Sequence, residues 1–240
     1  MSEAANRGAI ADGPVPLAGR RDEVHELLCA LRSRQSRLIT GPPGMGKTRL
    51  VGEALRAWDG DCIPIRRPRV LHEVLVELAG MLGCGGNGAA SSMSLKPAIL
   101  ESLRQAPRVV ILEDVAETGP RAYRFWQAVY HSPGTCLIVT ARSRGSLGYL
   151  RRLLWDPREE IRLLPLKPGE ASRLFGTAVA AYKLDSLDLD VFRRQVLRSA
   201  RGNPGQIVTM CRLAAQPVYR QGRRLKFVPL RMDALPAFVG

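Results

Sequence analysis

The stretch Gly41-Pro-Pro-Gly-Met-Gly-Lys-Thr48 decides the fold class of this chain. It matches the pattern G-x-x-x-x-G-K-[ST] at every fixed position. The apolar run Arg37-Leu-Ile-Thr40 before it predicts a buried strand, and the residues after it predict a helix from Lys47 to about Trp58. Glycines in such a turn let successive backbone N–H groups point inward at a helix N-terminus, which favours an anion. The stretch therefore predicts a loop that cradles phosphate groups, and a chance glycine turn is the weaker alternative.

Two side chains of this loop suit a nucleoside triphosphate. Lys47 is expected to reach the β- and γ-phosphates, and Thr48 to offer its hydroxyl to Mg²⁺. The expected cofactors are therefore ATP and Mg²⁺. The loop residues predicted to bind them are Pro42, Pro43, Gly44, Met45, Gly46, Lys47 and Thr48.

A second polar feature follows the apolar run Val109-Val-Ile-Leu112, where Glu113 and Asp114 stand side by side. The run predicts a strand, and ligands of open α/β sheets lie beyond the carboxyl ends of their strands. Glu113 is expected to support the metal and Asp114 to polarise an attacking water. A solvated strand end is the alternative.

The remaining periodicity predicts an α/β fold. Continuous apolar strands that alternate with helices are typical of a parallel sheet covered on both faces. The five predicted strands are 37–40, 61–66, 109–112, 135–140 and 161–164, and Pro64 places the second at an edge. Helices are predicted at about 70–82, 95–105 and 120–131, and residues 83–94 look like a flexible segment.

After Pro168 the pattern becomes wholly helical. Three helical stretches, near 169–182, 188–199 and 205–215, predict a small helical subdomain. The segment from Pro217 is basic, and Gly222 within it predicts a short hairpin.

Composition bounds the class of protein. Hydrophobic residues make up 45% of the 240 residues, which excludes a disordered chain. Apolar runs stay well below the roughly 18–20 residues of a membrane span, and the N-terminus lacks a signal-peptide pattern. The five cysteines are dispersed, so neither a metal nor a redox motif is predicted, and a cytoplasmic location is expected.

The net charge of +14, from 36 basic and 22 acidic residues, has two explanations. Because 31 of the basic residues are Arg, compositional drift is one. A polyanionic partner, normally nucleic acid, is the other. The residues predicted to contact DNA are Arg66, Arg67 and Arg69 after the second strand and Arg220, Arg223, Arg224 and Lys226 in the C-terminal segment.

Several segments together resemble the AAA+ ATPases, in particular their STAND-like and origin-recognition-like branch. The resemblance covers residues 17 to about 216. It lies in Leu17-Ala-Gly-Arg-Arg-Asp-Glu23 (a GRxxE box), GPPGMGKTRLV (the phosphate loop), LEDV (the acidic strand end), Thr140-Ala-Arg142 (the first sensor), 164–171 (the lid entry) and Gly202-Asn-Pro-Gly205 (a GxP element).

The resemblance implies further residues and a domain plan. Gly19, Arg20, Arg49 and Pro204 are implied to contact the nucleotide. The implied plan is a flexible N-terminus (1–16), an AAA+ nucleotide-binding domain with a five-stranded parallel sheet (17–167), a helical lid (168–216) and a basic tail (217–240). AAA+ proteins usually complete the site with an arginine of an adjacent subunit, which implies a homo-oligomer, either a ring or a filament.

The candidates for that arginine are Arg151 and Arg152, followed by Arg142 and Arg144, and a solvated arginine pair is the alternative for the first two.

The sequence departs from the family at two places. Glu113-Asp114 replaces the usual Asp-Asp or Asp-Glu pair, which implies slow hydrolysis suited to a switch. Gly205 occupies the lid position where many members carry a sensor arginine, and the nearby Arg201 is the candidate to substitute for it.

Three functions remain open. The first is an ATPase that assembles on duplex DNA when ATP is bound and regulates transposition or replication-type transactions, with a recombinase or loader as a candidate protein partner. The second is a STAND-type signalling switch that acts through a protein partner. The third is a non-catalytic nucleotide-binding subunit of a larger complex.

Overall fold

A computed structural model of the chain describes residues 14–84, 91–185, 188–222 and 224–235. The chain divides into two compact units, which we name by their content. The sheet unit comprises residues 23–41 and 54–162. The helical unit comprises residues 1–22, 42–53 and 163–240.

The sheet unit holds five parallel strands in the order β2-β3-β4-β1-β5. The strands are β1 (Arg37–Thr40), β2 (Cys62–Arg66), β3 (Val109–Val115), β4 (Cys136–Ala141) and β5 (Glu160–Arg162). The predicted five-stranded parallel sheet flanked by helices is therefore confirmed. Pro64 lies in the edge strand β2, where its missing N–H costs no ladder hydrogen bond.

The central strands are buried on both faces. All of Val109, Val110, Ile111 and Leu112 are shielded from solvent, which explains their unbroken apolar run. Of these residues, Val110 and Leu112 pack with α3 (Leu71–Leu82), α4 (Ser92–Gln105) and α5 (Pro120–Tyr130) in one core. The remaining helices that begin before β3 are α1 (Arg21–Arg32) and α2 (Lys47–Arg56).

Part of the segment predicted to be flexible is helical. Residues 85–90 lie outside the described residues, but α4 already begins at Ser92. The side chain of Ser91 accepts a hydrogen bond from the backbone N–H of Ser94 at 3.3 Å and caps the helix. The small polar residues before position 95 therefore start the helix.

The helical unit has its own core. It is built from α6 (Pro168–Ala181), α7 (Leu189–Ala200), α8 (Pro204–Ala214) and α9 (Phe227–Ala234). Between α8 and α9 the two short strands β6 (Arg220–Gln221) and β7 (Arg224–Leu225) pair antiparallel about Gly222, as the sequence predicted. Leu230 and Ala234 of α9 are buried in the core, so the segment after Pro217 folds against the preceding helices.

No helix of the described residues combines the length and the apolar character that crossing a bilayer demands.

Candidate nucleotide-binding site

The loop 41–48 connects β1 directly to α2. Gly44 and Gly46 adopt φ values of 81° and 91°, a left-handed region that side chains with a Cβ rarely enter. The amino group of Lys47 donates to the carbonyl oxygen of Pro42 at 3.2 Å, so the lysine folds back along the loop. Met45 is buried and Thr48 is half-buried. Left-handed glycines between a strand and a helix are typical of loops that bind phosphate, and phosphate binding by these residues stays a prediction.

Within the helical unit, the start of α8 holds the loop. The amide Nδ2 of Asn203 donates to the carbonyl oxygen of Pro43 at 2.9 Å, and the N–H of Gly205 donates to the carbonyl oxygen of Gly44 at 2.9 Å. The Oδ1 of Asn203 also accepts from the N–H of Gln206 at 3.2 Å, which caps α8. One side chain therefore caps a helix and positions the phosphate loop. Asn203 had no predicted role of its own within the Gly202–Gly205 element, although Asn followed by Pro is a recognisable helix start.

A cavity of about 230 Å³ adjoins the loop in the same unit. Its lining is mostly apolar and includes Leu17, Leu174 and Val208. The volume is below the roughly 300–1,000 Å³ of pockets that enclose whole drug-sized ligands, so it suits one ring system. The cavity is also lined by residues that were predicted to bind the nucleotide, namely Arg20, Gly44 to Gly46, Arg49 and Pro204.

The arginines of this cavity are anchored to backbone. Arg20 is buried and its guanidinium donates to the carbonyl oxygen of Leu164, while that of Arg49 donates to the carbonyl oxygen of Val15. Gly19 lies against the carboxylate of Glu170, and a Cβ at Gly19 would stand 2.8 Å from its Cδ. These contacts fix the segment 15–20 beside the loop.

Gly202 is a second point where only glycine fits. Its φ is 80°, and a Cβ there would stand 2.7 Å from the carbonyl oxygen of Leu166. The backbones of Gly202 and Leu166 lie close enough to bond, and the N–H of Leu166 donates to the carbonyl oxygen of Gly202 at 2.9 Å. It sets the position of the Asn203–Gly205 turn that contacts the loop.

We expect Gly202→Ala to lower the free energy of unfolding by roughly 2–4 kcal/mol, because it adds both left-handed strain and a backbone clash. Urea unfolding measures the change. The matched control is Gly176→Ala in α6, where a Cβ meets nothing within 4 Å and helix propensity favours alanine. Equal unfolding midpoints for the two variants would contradict this account.

In the sheet unit, Glu113 and Asp114 lie at the carboxyl end of β3. Glu113 is only 4% exposed, whereas the side chain of Asp114 points to solvent. Asp114 adopts φ 53° at an irregularity in the pairing of β3 with β4, and its N–H donates to the hydroxyl of Thr140 at 2.9 Å. The N–H of Gly41 donates to the carbonyl oxygen of Ala141 at 3.3 Å, so the loop begins at this same edge of the sheet.

The chemistry of Glu113 fits a magnesium ligand. Its Oε1 is buried without a hydrogen-bond partner among the described residues, so a cation would satisfy it. Magnesium is typically bound by one or two carboxylates together with substrate phosphates. Among the described residues no cluster of three His, Cys, Asp or Glu side chains offers an all-protein metal site.

Two arginines predicted to contact DNA pair with these carboxylates. Arg66 Nε lies 3.6 Å from Glu113 Oε2, and Arg67 Nε lies 3.3 Å from Asp114 Oδ2. Both arginine side chains are more than half exposed. The exposed Arg67–Asp114 pair therefore contributes about 0–1 kcal/mol, and a competing ion can displace it. Neither pair was predictable from the sequence, because the partners are about 47 positions apart.

Burial raises the pKa of Glu113, the positive charge of Arg66 opposes that rise, and the negative charge of Asp114 adds to it. A carboxyl whose pKa is raised by folding costs stability once pH exceeds its unfolded value of about 4.3. We therefore expect Glu113→Gln to stabilise the nucleotide-free protein by about 1 kcal/mol at pH 7.

That gain is expected to shrink as pH falls towards 4 and to vanish below it, where the Glu113 carboxyl is protonated in the folded and the unfolded protein alike. Urea unfolding of both proteins between pH 7 and pH 4 measures it. A variant that is less stable at pH 7, or a difference that is the same at every pH, would contradict the prediction.

The arginines considered as trans-acting candidates lie in different settings. Arg142, Arg151 and Arg152 are exposed, and the guanidinium of Arg152 stacks 4.9 Å from the ring centroid of Tyr149. Arg144 instead pairs with Glu160 at 2.9 Å. Glu160 also accepts from the hydroxyl of Thr40 at 2.6 Å, so Arg144 serves a structural network. This leaves Arg142, Arg151 and Arg152 accessible to a second copy.

The other predicted DNA contacts are also dispersed over the surface. Arg69, Arg224 and Lys226 are exposed, whereas Arg220 is half-buried and donates to the carbonyl oxygen of Ala214 at 3.0 Å. Arg223 lies outside the described residues.

Solved structures provide the comparison for this fold. The chain is similar to the Orc1 protein of Aeropyrum pernix in complex with DNA, with 17% identity, a TM-score of 0.64, and coverage of 95% of this chain and 66% of that one. It is similar to Cdc6p from Pyrobaculum aerophilum, with 15% identity, a TM-score of 0.65, and coverage of 90% and 63%.

A third similar structure is a Signal Transduction ATPase with Numerous Domains (STAND) protein with a tetratricopeptide repeat sensor from Pyrococcus horikoshii. Its identity is 17%, its TM-score 0.59, and coverage is 97% of this chain and 34% of that one. The chain has the AAA+ fold. It spans about two thirds of the two shorter structures and one third of the STAND protein. No protein-family model matches the sequence, and no curated protein is significantly similar to it.

Proposed function

We propose that this chain is an ATP-dependent switch that binds ATP, hydrolyses it slowly and assembles on duplex DNA in its ATP-bound form to regulate a DNA transaction. The observation that carries the nucleotide part is the loop 41–48, fixed by Asn203 and adjoined by an apolar cavity. In this proposal the base occupies that cavity and the triphosphate lies on the loop, with Lys47 on the β- and γ-phosphates.

Hydrolysis in this proposal rests on the acidic pair. Thr48 and Glu113 would hold Mg²⁺, which neutralises developing charge on the phosphates. Asp114 is the carboxylate that accepts a proton from the attacking water, and its exposed side chain supports that role. Because Asp114 is the shorter carboxylate and has Arg67 as a partner, turnover is slow.

An arginine from a neighbouring copy completes the proposed site. Arg151 and Arg152 are the first candidates, since both are exposed on the 3₁₀ turn Tyr149–Arg152, and Arg142 is the next. Such an arginine acts only in the assembled state, so assembly would raise hydrolysis by orders of magnitude. A homo-oligomer is therefore part of the proposal.

The DNA part rests on charge. The chain carries a net charge of +14, and Arg69, Arg224 and Lys226 are exposed. Exposed arginines and lysines bind phosphates with little sequence preference and with strong salt dependence. The Orc1 structure that the fold resembles was solved in complex with DNA.

Duplex-DNA anisotropy with ATP, ADP or no nucleotide across a salt series tests this function. We expect binding that requires ATP, weakens steeply with salt and is lost in Lys47→Ala. Binding of wild type and variant that is equally weak with every nucleotide would refute the DNA-assembled switch.

One observation favours a second candidate, a STAND-type switch that acts on a protein partner. Arg66 and Arg67, two of the proposed DNA contacts, already have carboxylate partners within the sheet unit. Under this alternative DNA binding is absent at moderate salt, while ATP and ADP still bind with different affinities. Nucleotide binding without phosphate release in any condition would instead favour a non-catalytic subunit.

A further inference from the structure

The helical unit contains a second and larger cavity, of about 720 Å³, at the ends of α7, α8 and α9. Three arginines line it, and we call it the arginine pocket. Arg198 belongs to the last turn of α7, Arg201 follows that helix, and Arg231 comes from α9. No carboxylate of the described residues lines the cavity. Three arginines and no described carboxylate give the lining a positive charge, which an anion would neutralise.

Arg201 is held in an unfavourable backbone conformation. It caps the C-terminus of α7 with φ 47° and ψ 41°, a position where glycine is the unstrained residue. The left-handed conformation costs a residue with a Cβ roughly 1–2 kcal/mol. The chain therefore places a guanidinium at this wall of the pocket at the expense of stability.

The other walls supply neutral donors and an apolar face. Asn203 and Gln206 contribute side-chain amides, and Phe227 contributes an aromatic ring. Asp233, the acidic residue of α9, does not line the pocket. Its Oδ2 instead accepts a hydrogen bond from the hydroxyl of Tyr219 at 2.6 Å. Arginine and amide donors are the groups that contact phosphate oxygens in protein–DNA complexes.

The arginine pocket shares a wall with the phosphate loop. Pro42 and Met45 line it, and Asn203, which also lines it, donates to the carbonyl oxygen of Pro43. A ligand in the pocket therefore contacts the same residues that hold the loop in place. Such a shared wall links the affinity for that ligand to the affinity for ATP, and the linkage is reciprocal.

We propose that the arginine pocket binds backbone phosphates of duplex DNA, and this rests on the proposed DNA-assembled switch. The occupant is nucleic acid because the basic surface continues beyond the pocket. Arg224 and Lys226 are exposed immediately before α9, and residues 163–240 contain 13 basic and five acidic side chains. Duplex DNA carries about one phosphate charge per 1.7 Å of its axis, so one duplex can neutralise several separate arginines at once.

The test is the salt dependence of binding to a labelled 20-base-pair duplex in the presence of ATP. The pocket variant combines Arg198→Gln, Arg201→Gln and Arg231→Gln, and the matched control is Arg194→Gln on the exposed face of α7. Each lost phosphate contact lowers the slope of log K against log salt by about 0.9. We therefore expect the magnitude of this negative slope to fall by nearly three for the pocket variant and by less than one for the control.

A second variant separates binding from folding. Arg201→Gly removes one guanidinium and also the left-handed strain, so it is expected to raise the unfolding midpoint while it weakens DNA binding. ATP affinity of each variant without DNA, measured by nucleotide fluorescence, is expected to stay within about threefold of wild type.

Each outcome is decisive. An unchanged slope in the pocket variant of a protein whose wild type binds duplex would overturn the arginine pocket alone. Absence of wild-type binding at low salt with ATP would overturn the pocket and the proposed DNA function together. If the wild type binds poly-glutamate as tightly as it binds duplex DNA, and the pocket variant loses this binding, the ligand of the pocket is an acidic protein. That result would also overturn the proposal.

Discussion

Replacing Lys47 by alanine is expected to weaken ATP binding by about a hundredfold. The lysine follows the two left-handed glycines of the loop, and its amino group already bridges to the carbonyl oxygen of Pro42. Hydrogen bonds to charged groups contribute about 1.5–3 kcal/mol, and 2.7 kcal/mol corresponds to a hundredfold change in affinity. Titration with a fluorescent ATP analogue measures the loss.

Lys96→Ala in α4 is the control for this prediction, since it removes the same charge from a helix of the sheet unit. Both variants are expected to unfold near the wild-type midpoint. ATP affinity that falls equally in the two variants would indicate a general charge effect and would remove the assignment of Lys47.

Replacing Asp114 by asparagine is expected to lower phosphate release by 10²- to 10⁴-fold with ATP affinity unchanged. Loss of a positioned general base has effects of this size. Asparagine has the same shape and tolerates the left-handed conformation at φ 53°, so the backbone and its hydrogen bond to Thr140 are expected to persist. Single-turnover phosphate release with saturating ATP and Mg²⁺ measures the effect.

Glu117→Gln is the matched control, because Glu117 is an exposed carboxylate three residues further along the same segment. It is expected to leave turnover unchanged. Turnover that survives Asp114→Asn and is lost in Glu113→Gln would exchange the roles of the two carboxylates, with the buried one then acting on water.

The exposure of the two carboxylates gives these roles a physical basis. Glu113 is buried at the end of β3, where an ion is better held than a mobile water, and Asp114 projects into solvent. Within the described ranges, the carboxylate of Asp114 has the weak, exposed pair with Arg67 as its ion pair, so it is available at small cost. The slow hydrolysis that we propose would then follow from the short side chain of Asp114 and from its pair with Arg67, and both features suit the proposed switch.

Local patterns were sufficient to predict most of the fold. Strand Val109–Leu112 is apolar throughout because both faces of a parallel sheet are covered, and Pro64 is confined to an edge because it lacks an N–H. The loop 41–48 was equally predictable, because a tight turn needs glycine at its left-handed positions and a phosphate site needs a positive charge. The segment before α4 was misread because its small residues suit a loop and a helix cap equally well.

Contacts between residues far apart in sequence could only be learned from the folded chain. The amide of Asn203 meets the carbonyl of Pro43 across 160 positions, and Arg66 meets Glu113 because β2 and β3 are neighbours. The grouping of Arg198, Arg201 and Arg231 around one cavity likewise depends on how three helices pack. Periodicity and composition report which face of an element is buried, whereas the pairing of polar side chains depends on which elements become neighbours, and this is decided by the packing of the whole core.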